Sequence, residues 1–168
     1  MATSQEHLMT WLRDAHAMEK QAIESIENQL SRLENYPQMR AWVEEHVAAS
    51  RRQRERVGAC LEQRGEKTSS LKDAAMTVMG KIQELTGTAA SDEVLKNAIT
   101  DYSFKHFEVA AYTSLAAAAD AAGDAEVSRI ASEIKAEEES LASKLAALIP
   151  TLTHDYVSRD VASVAAKR

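Results

Sequence analysis

Residues 98–119 read AITDYSFKHFEVAAYTSLAAAA, and within them Ala98, Lys105, Glu108, Tyr112, Leu115 and Ala119 fall on one helical face. Steps of three, four and seven residues are the signature of a helix that buries one side. Here that side carries a lysine and a glutamate where apolar side chains belong. The same anomaly recurs toward both ends of the chain. Leu8, Leu12, Ala15, Glu19, Ala22, Ile26, Leu30 and Leu33 form one stripe with Glu19 inside it. Val127, Ile130, Ile134, Glu138, Leu141, Leu145 and Leu148 form another around Glu138. A lone ionised carboxylate costs several kcal/mol to bury, so each of these needs a partner cation, a shared proton or a metal.

The bulk composition agrees with helix throughout. The 168 residues are 45% hydrophobic, which suffices for one domain with a core. Two prolines, five glycines and 5% aromatics, set in a background rich in Ala, Glu, Leu, Lys and Arg, disfavour strands. A net charge of −6 provides no global attraction to nucleic acid or to an anionic membrane. Cys60 is the single cysteine, which excludes an internal disulfide and fits a reducing compartment. The N-terminus has no basic-then-apolar leader pattern, and the apolar runs fall short of a membrane span. The expectation is a cytoplasmic protein with neither nucleic-acid nor membrane partners.

Punctuation along the chain predicts four long helices and one short one. Thr3 or Ser4 caps the first, which runs to about Glu34 before Asn35-Tyr36-Pro37 interrupts it. The second runs from Pro37 to about Arg64, with Gly65 as its stop. Its inward stripe is Met39, Val43, His46, Ala49 or Ser50, Gln53, Val57, Cys60 and Leu61. A short third helix is expected over Leu71–Leu85, and a fourth from Ser91 to about Gly123. The fifth ends at Pro150, leaving residues 151–168 as a tail with a weak helix over Asp155–Ala166. This pattern predicts an all-α domain over residues 1–150: an antiparallel four-helix bundle whose short helix lies in the crossover between the second and third long helices.

In di-iron and di-manganese bundles, two helices each supply a glutamate and two supply a carboxylate–histidine pair one turn apart. Glu19 has His16 one turn earlier, Glu108 has Lys105, and Glu138 lies between Glu137 and Glu139. The second helix offers His46 and Gln53 on its stripe and no carboxylate, since Glu44 and Glu45 point off it.

The runs Asp14–Gln21, Lys105–Tyr112 and Glu137-Glu138-Glu139 resemble the YciE/YciF family of ferritin-like proteins. The resemblance extends from about His7 to Ile149, and its most specific piece is the His-aromatic-Glu-x-Ala-x-Tyr run that begins at His106. It implies a ferritin-like bundle, often dimeric, associated with bacterial stress responses, with a di-metal centre in its better-preserved members. It also implies that Glu19, Glu108 and Glu138 occupy ligand positions. Three departures stand against a complete centre. Where the family has two glutamates on the second helix, this chain has Ala48 and Ala49 between His46 and Ser50. Where it has a glutamate three residues before Glu108, this chain has Lys105. An acidic position after Glu138 is Ser143.

An ammonium among three carboxylates supplies the positive charge that a metal otherwise would, and it repels a divalent ion. The favoured expectation is therefore a metal-free, stress-associated bundle, a homodimer of structural or binding role, with Lys105 as internal counterion. The alternative is an iron- or manganese-dependent oxidase or iron-handling protein using Glu19, Glu108, Glu138 and His46 or His16. His106 is expected to orient the backbone or a neighbouring carboxylate. The basic run Arg51, Arg52, Arg54, Arg56 is balanced by Glu44, Glu45, Glu55 and Glu62 and reads as a solvated face or a salt-bridged dimer contact. No phosphate loop, Cys-x-x-Cys pair or nucleophile elbow is present.

Overall fold

The computed structural model describes residues 1–67 and 91–166. Four long helices occupy them: α1 (Ser4–Glu27), α2 (Pro37–Gln63), α3 (Glu93–Ala122) and α4 (Ala125–Val161). No strand occurs among the described residues, and none of the helices there is long and apolar enough to cross a membrane. The short helix expected over Leu71–Leu85 lies outside the described residues.

Helix ends follow local chemistry. Thr3 caps α1 through a reciprocal box: its hydroxyl accepts from the Glu6 amide at 3.2 Å, while Glu6 accepts from the Thr3 amide at 2.7 Å. Pro37 opens α2, where its missing amide hydrogen has no partner to lose. Gly123 ends α3 at φ +73°, a left-handed conformation that glycine adopts without a Cβ penalty. Asp124 then caps α4 by accepting from the Val127 amide at 3.1 Å. Arg64, the C-cap residue of α2, binds the same Asp124 side chain at 2.5 and 2.8 Å and so ties that helix end to the α3–α4 turn.

The principal packing pairs are α1 with α2, α3 with α4, α1 with α3, and α2 with α4. They form a closed ring, so α1 faces α4 across the bundle and α2 faces α3. Every expected stripe residue of α2 is buried, including both Ala49 and Ser50. The interior has two apolar halves. Leu8, Leu12, Leu61, Leu115 and Ile134 fill one, while Ile26, Tyr36, Met39, Val43, Leu145 and Leu152 fill the other. Between them lies a layer of buried polar side chains from all four helices: Glu19, His46, Ser50, Gln53, Lys105, Glu108 and Glu138.

Two boundaries depart from the sequence expectation. The first helix stops at Glu27, not near Glu34, and a 3-10 turn spans Leu30–Arg32. The chain tightens there because Gln29 turns inward and donates to Asp101 Oδ1 at 3.0 Å. The last helix does not stop at Pro150 but continues to Val161. An internal proline sacrifices one backbone hydrogen bond and costs about 3 kcal/mol in a helix interior. Offsetting contacts lie beyond it. Leu152 is fully buried, Tyr156 packs on the same cluster, and Arg159 sits 6.0 Å over the Tyr36 ring. The Tyr36 hydroxyl donates to the Ala166 carbonyl, and the Asn35 amide donates to the Ala165 carbonyl at 3.3 Å. The segment after Pro150 thus packs against the α1–α2 junction.

Burial ranks the core positions for mutation. Leu145→Ala, at a site with 0% exposure, is expected to lower unfolding free energy by about 2–5 kcal/mol in urea titrations. Val164→Ala, at 53% exposure, should stay within about 0.5 kcal/mol of the parent. Equal losses at the two sites would contradict this packing.

Candidate functional site

The polar layer is built by register. On α3, Asp101, Lys105, Glu108 and Tyr112 are spaced four, three and four residues apart, so all four project along one face. Glu19 on α1 and Glu138 on α4 meet that face from opposite sides. One carboxylate oxygen from each of Glu19, Glu108 and Glu138 lies within 4.8 Å of the others, and all three residues have 0% exposure.

Lys105 sits among them. Its Nζ lies 2.5 Å from Glu108 Oε2 and donates to Glu138 Oε2. Glu19 is held separately, its Oε1 accepting from the Tyr112 hydroxyl at 2.6 Å. The Ser50 hydroxyl approaches Glu19 outside hydrogen-bond geometry. Glu19 Oε2, Glu108 Oε1, Glu138 Oε1 and Gln53 Oε1 have no hydrogen-bond partner.

Burial dominates the titration of this layer. It pushes Glu19 up to about 7, with the Glu138 charge adding to the rise and the Tyr112 hydroxyl and Lys105 opposing it. Glu108 is driven well above the usual carboxylate range by burial and by Glu138 and Glu19, against the pull of Lys105. Burial alone would discharge Lys105, but Glu108 and Glu138 outweigh it and lift the ammonium above its ordinary range. The Tyr112 hydroxyl is raised well above its normal value by burial and by Glu19, and so remains a donor.

His46 is buried at 1% exposure with neither ring nitrogen hydrogen-bonded, and its ring packs edge-on against Trp42 at 5.1 Å. Burial and Lys105 hold it well below the ordinary imidazole range, so it is neutral. Neither His46 nor His16 joins the carboxylate group; His16 lines a surface notch between α1 and α2. His106, expected to orient a carboxylate or the backbone, instead points outward and packs against Tyr102 at 4.6 Å. Ser143 is exposed and bonds the Glu139 carbonyl at 2.8 Å, away from the centre.

The Asp101–Gln29 pair lies outside the expected set. Asp101 is buried and pushed up to about 7, mainly by burial, while Gln29 and Lys105 pull it back down. Its place one turn before Lys105 was visible in the register; its partner was not, because Gln29 reaches it only where α1 gives way to the 3-10 turn. On the other side, Gln53 Nε2 donates to Glu137 Oε2 at 3.0 Å, and Arg56 binds Glu137 and Glu133 at 2.7 and 2.6 Å.

A two-metal centre would need bridging carboxylates from α2 and a second carboxylate on α3. The α2 face presents Ala49, Ser50 and Gln53, and the α3 position is Lys105, whose ammonium lies against two of the three remaining glutamates. The donor set does not fit such a centre.

Residues 3–158 match the family described as a domain of unknown function, DUF892. A crystal structure of a protein from Xanthomonas campestris pv. campestris is 32% identical, with a TM-score of 0.76, covering 94% of this chain and 99% of that one. The Escherichia coli stress protein YciF has the same fold at 21% identity and a TM-score of 0.76, covering 89% of this chain and 96% of its own. YcfI from Rhodopseudomonas palustris shares it at 20% identity and a TM-score of 0.71, with 86% and 93% covered. The chain belongs to the DUF892 family, and its helical bundle has the fold of YciF and YcfI.

Proposed function

We propose that this protein is a stress-associated bundle of structural or binding role whose carboxylate centre is closed by its own lysine rather than by a redox metal. The observation that carries this reading is the Lys105 ammonium lodged against Glu108 and Glu138 with no solvent exposure. At 4 Å and an effective dielectric of about 20, an ammonium and a divalent cation repel by on the order of 8 kcal/mol. A metal must therefore displace Lys105 before it can use these carboxylates. The stress association is supported by the shared fold of the E. coli stress protein YciF.

A second reading is favoured by the three mutually close carboxylates, each retaining at least one oxygen without a hydrogen bond. That set has the oxygen chemistry that iron(II) or manganese(II) accepts. It corresponds to a metal-dependent oxidase or iron-handling protein with a reduced ligand set.

Metal analysis on chelator-free protein separates the two. Substoichiometric iron and manganese, with no gain in melting temperature on adding either, is the expected result. One ion per chain that disappears in Glu108→Ala would overturn the metal-free reading. The double variant Lys105→Glu/Ala49→Glu should take up more metal than the parent, because it exchanges the repelling charge for two carboxylates. Uptake no greater than the parent's would show that these positions do not face the centre.

The buried acids also set a pH dependence. Asp101 and Glu19 are raised from ordinary values of 3.8 and 4.5 to about 7, so the folded chain keeps protons that the unfolded chain has released. Their contribution to stability is fully present below the unfolded values and is lost as pH rises through about 7. Melting temperature is expected to be higher at about pH 5 than at about pH 8, with a shallower slope in Asp101→Asn. A parent that melts higher at the alkaline end, or an Asn variant with an unchanged slope, would contradict the assignment.

A further inference from the structure

A second site lies in a solvent-open notch of about 420 Å³ between α1 and α2. That volume falls within the range of small-molecule pockets. Its floor is Gly58, with Ile23 and Ala59 beside it. A glycine inside a helix costs about 1 kcal/mol relative to alanine.

The walls are charged in an uneven way. Of the basic run on α2, Arg56 is taken up by Glu133 and Glu137. Arg51 touches Glu27 through one nitrogen, which leaves its other guanidinium donors available. Arg54 has no ion pair among the described residues, and it lines the notch beside His16. His16 is 7% exposed and makes no hydrogen bond among the described residues. Burial, then Arg54 and Lys20, keep that imidazole below its ordinary range, so near neutral pH it has one donor and one acceptor nitrogen. The lining thus sets two arginines against two glutamates, Glu55 and Glu62, and presents a cationic and an anionic side to the same space.

We propose that the notch binds a small hydroxylated phosphate monoester, with the phosphate on Arg54 and Arg51 and a hydroxyl on Glu55 or Glu62. Arg51 and Arg54 are three residues apart on one helix face, so two planar guanidiniums address one dianion. The carboxylates of Glu55 and Glu62, which line the same space, can accept from hydroxyls. His16 adds a neutral donor, and Ile23 with Ala59 gives an apolar surface to the carbon skeleton. This site is independent of whether the carboxylate centre holds a metal.

Calorimetric titration of the full chain with ribose 5-phosphate, inorganic phosphate and ribose tests the assignment. Ribose 5-phosphate should bind, inorganic phosphate should bind more weakly, and ribose should give no signal. Arg54→Ala should weaken ribose 5-phosphate by about tenfold or more, the loss of one charged hydrogen-bonding partner. Arg52→Ala, at an exposed position off the notch, should leave the affinity unchanged. No heat with ribose 5-phosphate, or equal affinity in the parent and Arg54→Ala, overturns the site. Equal affinity for inorganic phosphate and ribose 5-phosphate overturns the hydroxyl contact.

Discussion

Three carboxylates and one ammonium share a layer of the bundle in which none of the four side chains is exposed to solvent. Fully ionised, that layer would carry two uncompensated negative charges. A low-dielectric interior does not tolerate this, so protons must be retained on some of the acids. The partners of these acids differ with position. Glu138 and Glu108 flank the ammonium, Glu19 leans on a tyrosine hydroxyl, and the carboxylate farther along α3 leans on an amide. The two apolar halves of the core are placed by this layer, because each helix must present its polar residue at the same height. A one-residue rotation of any helix would bring a charge against leucine or isoleucine.

Much of this was legible in the sequence, for a definite reason. The helical period exposes a glutamate inside an apolar stripe as an anomaly, and the residue three positions earlier on the same face was already a lysine. The convergence of Glu19, Lys105, Glu108 and Glu138 followed from periodicity together with the family resemblance. What escaped depended on tertiary contacts. Pro150 is a stop signal in sequence terms, but burial of Leu152 and the aromatic contacts of Tyr36 and Tyr156 outweigh a single missing hydrogen bond. The early end of α1 depends on Gln29 finding Asp101, whose sequence separation of 72 residues hides it from any local rule. His106 belonged to the most specific run of the resemblance and yet faces outward, because its place on the helix is one residue past the buried Lys105.

The exterior shows how the same charges behave where water screens them. Pairs such as Lys20–Glu24, Arg40–Glu44 and Lys135–Glu139 span one helical turn at 3.8, 3.4 and 3.2 Å, and exposed pairs of this kind contribute little each. The pairs between helices do more geometric work. Arg56 holds α4 against α2, and Lys144 reaches Glu45 across the same seam. Gln53 joins the two regimes, with its amide nitrogen on the surface carboxylate Glu137 and its oxygen facing inward without a partner.

A protein stabilised by a dissociable ligand has a folded fraction that depends on the free concentration of that ligand, through a term RT ln(1 + [L]/Kd). A cation carried on the side chain of residue 105 has no such dependence. It is present at one per chain, cannot be chelated, and does not compete with other proteins for a limiting supply. Under the metal-free function proposed above, the folded population is insensitive to metal starvation and metal excess alike.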